Sequence, residues 1–100
     1  MGNSMYSIDF VYTPSNSNEF KNVHIEFNLT GATARLTVSS KEEISLKDFS
    51  SLIDSVQAEC FDKIKINLKK DCEIVLYIDE KTYLIIFNEE TGEAIDKKLV

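Results

Sequence analysis

The chain has no tryptophan, one proline, three glycines, two cysteines and one histidine in 100 residues. So little glycine and proline excludes a collagen-like repeat and a flexible low-complexity linker. Cys60 and Cys72 form no C-x-x-C pair and belong to no cluster with metal-ligand spacing, so neither a disulfide-stapled scaffold nor a cysteine metal cage is indicated. Both are read as reduced thiols, at least partly buried. No glycine-rich phosphate loop and no calcium-loop spacing is present. No apolar run approaches the roughly 18 residues of a membrane-spanning helix. No cofactor and no metal site is therefore expected.

What is present is enough for one core. A 43% apolar fraction with six phenylalanines and four tyrosines argues against disorder, and 100 residues suit a single domain spanning 1–100. Seventeen acids against eleven bases give a formal net charge of -6. Such a field repels polyanions, which argues against nucleic acid and a membrane surface as partners, and it attracts a basic protein. The residues before Met5 show neither a basic flank nor an apolar stretch, so a cytoplasmic location is expected. The first four residues are expected to be disordered or an added sequence outside the fold.

Apolar residues alternate at Tyr6, Ile8, Phe10 and Tyr12, and again at Val23, Ile25, Phe27 and Leu29. Period two with β-preferring residues predicts two half-buried strands, separated by the loop-forming segment Thr13 to Asn18. Gly31-Ala32 predicts a two-residue turn pairing Phe27 with Leu36 and Ile25 with Val38. Ser45 with Asp48 three residues on reads as a capping box, and Ile44 with Phe49 as a hydrophobic staple. Leu46, Phe49, Leu52, Ile53, Val56 and Cys60 then recur at helical spacing as one apolar stripe. Beyond the helix, strands are expected at Ile64 to Leu68, Ile74 to Ile78 and Tyr83 to Phe87, with an optional short further strand at Ala94-Ile95. The fold class is α+β: a mainly antiparallel sheet, in the order β-β-β-α-β-β-β, packed on one amphipathic helix.

The hairpin around Asp79–Lys81 departs from a half-buried pattern. A register pairing Ile78 with Tyr83, Leu76 with Ile85 and Ile74 with Phe87 fills one face. The other face then holds Val75, Tyr77, Leu84 and Ile86, with Tyr77 paired to Leu84 and Val75 to Ile86. One helix covers one face only. The second face is therefore expected to be covered by another part of the chain, by a homodimer mate or by a protein partner. Asp79, Glu80, Glu89, Glu90 and Glu93 flank the hairpin as an acidic rim.

Positive signs of catalysis are few. His24 is expected near Glu26 and Arg35 on a solvated strand face, a setting that favours a surface pair over a tuned base. Lys63, Lys65, Lys69 and Lys70 form the one basic cluster, with Lys65 and Lys69 expected on one strand face. These features point to a non-enzymatic interaction protein of inhibitor, immunity or anti-defence type, binding a basic protein through the apolar hairpin and its acidic rim. A ligand-binding or catalytic domain with a pocket between helix and sheet is the alternative, and a structural homodimer is a further one.

Overall fold

A computed structural model describes residues 3–100. The elements are β1 (Asn3–Tyr12), β2 (Lys21–Thr30), β3 (Thr33–Ser39), α1 (Leu46–Glu59), α2 (Leu68–Asp71), β4 (Glu73–Ile78), β5 (Lys81–Phe87) and β6 (Ala94–Leu99). The backbone of Asn3 and Ser4 belongs to β1, so the fold starts earlier than the pattern suggests, while Met1 and Gly2 lie outside the described residues.

One six-stranded sheet runs in sequence order, β1 to β6. Every neighbouring pair is antiparallel except β3–β4, which is parallel. Parallel neighbours need a long crossover, and α1 with α2 supplies it. Gly31, at φ +61°, makes the β2–β3 turn in the left-handed region that glycine enters without strain. The expected pairs Phe27 with Leu36 and Ile25 with Val38 form across it.

The helix begins where the capping residues place it. Ser45 Oγ accepts from the backbone N–H of Asp48 at 3.1 Å, satisfying one of the orphan donors of the first turn. Phe49, Leu52, Ile53 and Val56 are then buried against the sheet. Each is worth about 1.5–3 kcal/mol relative to exposure. Their partners include Ile25, Leu36, Val38 and Leu76, all 0% exposed.

Two further expectations are corrected. Ile64 to Leu68 is not a strand: Ile64 and Leu68 are buried in the helical layer, and α2 starts at Leu68. Its backbone finds a side-chain partner instead of a ladder. Gln57 Nε2 donates to the Ile66 carbonyl at 2.8 Å, and the Leu68 N–H donates to Gln57 Oε1 at 2.7 Å. Lys65 and Lys69 consequently share no strand face. There are six strands, the last being β6, and no seventh among the described residues.

The second correction is the β4–β5 register. Ile78 pairs with Lys81, Tyr77 with Thr82, Leu76 with Tyr83 and Val75 with Leu84. The turn is only two residues long, because Asp79 (φ 51°) and Glu80 (φ 61°) both occupy the left-handed region, as the tightest hairpins require. The shift is by two positions, so each side chain keeps its face.

Candidate functional site

Ile74, Leu76 and Ile78 point into the core, and Val75 and Tyr77 point to the opposite face. Val75 is 3% exposed yet stands apart from the main apolar cluster. In register, Thr37, Val75, Leu84 and Lys98 form one row across β3 to β6. Ser39, Tyr77 and Thr82 form the next row, and Ile86 faces Asp96. The four apolar side chains named from sequence therefore do come together. Tyr77 is 42% exposed, and Leu84 and Ile86 are half-buried.

Among the described residues, no element of the chain crosses this face. Both helices pack on the other side. The loop after β1 follows them, with Ser15 N–H donating to Asp48 Oδ1 at 3.1 Å. The end of the chain continues along β5, the Val100 N–H donating to the Thr82 carbonyl at 2.9 Å. Cover from the same chain, one of the expectations, is thus not found among residues 3–100.

The acidic residues separate into two groups. Asp79 and Glu80 occupy the β4–β5 turn, and Glu89, Glu90 and Glu93 the turn at the other end of β5. Glu89 and Glu90 border a cleft of about 710 Å³ on the helix side, shared with Lys65, Lys70 and Phe61. The nearer charges on the apolar face are Asp96 and Lys98 of β6 and the Arg35–Glu73 pair, whose closest approach is 2.6 Å. Sequence reasoning missed Asp96 as a neighbour, because the β5–β6 pairing had no turn signal of fixed length.

Arg35 therefore does not stand by His24. His24 Nδ1 lies 2.9 Å from Asp9 Oδ1, its cross-strand partner on β1. Ser39 is opposite His24 on β3, so Asp9, His24, Ser39 and Tyr77 form a line over four strands. The His24 and Asp9 side chains are 49% and 86% exposed, a setting in which water screens the pair.

Within the basic cluster, Lys63, Lys65 and Lys70 are exposed, whereas Lys69 is drawn inward. Lys69 Nζ lies 2.8 Å from Asp54 Oδ1, donates to the Gly92 carbonyl at 2.5 Å and sits 5.5 Å from the Phe87 ring centre. Ser50, the one buried polar residue among the described residues, donates to the same carbonyl at 3.2 Å and accepts from the Ala94 N–H at 3.3 Å. Lys69 and Ser50 thus tie both helices to the β5–β6 turn. Cys60 and Cys72 are free thiols, the first buried and the second half-buried. Burial pushes the Cys72 thiol up to about 12, the opposite of an activated nucleophile.

No group of three or more His, Cys, Asp or Glu side chains suited to a metal ion occurs among the described residues. No helix there is long and apolar enough to cross a membrane. Comparison with protein-family models, with curated proteins and with solved structures finds no match to this chain.

Proposed function

We propose that this chain is a non-enzymatic binding protein, of inhibitor or immunity type, that takes a basic protein partner on the outer face of β4 and β5. The observation that carries the reading is an apolar strip, Val75, Tyr77, Leu84 and Ile86, on a sheet face that no other element of residues 3–100 covers. Apolar anchors ringed by charge are the usual anatomy of a docking surface. The net charge of -6 supplies the sign of the partner, and Asp96, opposite Ile86, and Asp79 and Glu80, in the turn between β4 and β5, have no ion-pair partner among the described residues. Between α1 and the sheet the packing is apolar, and no buried side-chain polar atom lacks a hydrogen bond among the described residues, which favours this reading over a ligand pocket there.

Affinity capture with the full chain and with Tyr77→Asp tests it. One dominant basic protein should be retained by the native chain, released as salt rises, and lost with Tyr77→Asp at unchanged stability. Equal capture by both chains would overturn the assignment of this face.

A further inference from the structure

The sheet has two edges, and only one is protected. β6 carries Asp96, Lys97 and Lys98 in six residues, and its pairing with β5 is broken by an irregularity between Ile86 and Phe87. Charges and bulges of this kind are what keep an edge strand from recruiting another chain. β1 has neither. It is ten residues long, contains no lysine, arginine, proline or glycine, and has Asp9 as its one charge. Its register against β2 runs unbroken from Asn3 to Tyr12. Met5 and Val11 on this strand are 67% and 52% exposed, and on its core-facing side Tyr6, Ile8 and Tyr12 are only half-buried.

We propose that two copies of this chain pair β1 against β1, antiparallel, joining two six-stranded sheets into one. A two-fold axis normal to the sheet keeps the helices of both copies on one side, so core-facing residues must meet core-facing residues. Three centres satisfy that condition near the middle of the strand. Centring on Asp9 sets two carboxylates opposite each other, and centring on Ser7 sets Met5 against Asp9. Centring on Ile8 instead sets Met5 against Val11, Tyr6 against Phe10 and Ser7 against Asp9. That register is self-complementary on both faces: each exposed apolar side chain meets another, and the core stripe continues across the seam. The occupant is therefore a second copy, at a surface distinct from the one assigned to the basic partner.

The two associations respond oppositely to salt. Copies that each carry a net charge of -6 repel, so β1 pairing strengthens as salt rises, whereas capture of a basic protein weakens.

Sedimentation equilibrium of the full chain tests the proposal, using two double variants at exposed positions. Met5→Lys with Val11→Lys places like charges opposite each other twice and should weaken the dimer about tenfold. Met5→Lys with Val11→Glu places opposite charges in the same contacts and should restore it to within about threefold. A native chain that stays monomeric to about 1 mM would overturn the proposal. So would equal weakening by both variants, or a dimer dispersed by Tyr77→Asp and indifferent to both.

Discussion

The Lys69 ammonium reaches from α2 to within 2.8 Å of the Asp54 carboxylate on α1. The two partners are unequal: Lys69 is 16% exposed and Asp54 70%. Lys69 also holds the Gly92 carbonyl, which would otherwise lose its cationic donor at the end of the sheet. Lys69→Ala should therefore cost about 1–3 kcal/mol, while Asp54→Ala should cost less than about 1 kcal/mol. Urea unfolding of both variants checks the asymmetry, and equal losses would mean that the ion pair alone matters.

Glu80 sits at φ 61° in a two-residue turn, a conformation that strains a residue bearing a Cβ. Glu80→Gly should raise stability by about 0.5–1 kcal/mol, the left-handed strain outweighing the added freedom of the unfolded chain. Thermal unfolding monitored by circular dichroism reads this directly. A loss of stability would place the turn in another geometry.

Much of this architecture is legible in the residues, and the exceptions have physical causes. Ser45, Asp48 and the stripe from Leu46 to Cys60 specify α1 because caps and period act locally. Gly31 specifies the β2–β3 register for the same reason. The β4–β5 turn was harder, since Asp79 and Glu80 enter the left-handed region without the glycine or asparagine that usually announces it. Ile64, Ile66 and Leu68 alternate like a strand, and only the Gln57 amide, nine residues away from Ile66, shows how the segment is satisfied without one. The apolar strip was legible because alternation assigns faces even when the register is off by two. The Asp9–His24 pair and the open β1 edge were not, because both depend on which strands become neighbours.

Alkaline pH should expose the state of Cys72. Its folded-state thiol is pushed up by burial from an ordinary value near 9 to about 12. A raised folded value contributes stability that is fully present below about pH 9 and is lost as pH climbs toward 12. Burial also raises the Tyr12 phenol, with the Asp48 and Glu42 carboxylates adding to the effect. Cys72→Ser should consequently flatten the pH dependence of stability between about 9 and 12 relative to the native chain, and native Cys72 should resist thiol reagents at pH about 8. Parallel curves for the two chains would contradict the burial of this thiol.

The two faces of β4 should answer differently to charge. Tyr77→Asp, at a position 42% exposed, should change stability by less than about 1 kcal/mol. Leu76→Asp, 0% exposed in the core, should prevent folding. Leu84→Asp, half-buried on the outer face, should fall between them. Denaturant midpoints for the three variants give the order, and a Tyr77→Asp loss as large as that of Leu84→Asp would mean the outer face is covered.

The outer face of β4 and β5 is tested most directly by photo-crosslinking from a benzophenone side chain placed at Tyr77, with one at the exposed Ala58 on α1 as reference. A single adduct with a basic protein, formed from position 77 and not from 58 and suppressed by salt, is the expected result. Adducts from both positions alike, or an adduct at 77 of twice the chain's own mass, would contradict a basic partner docked on that face.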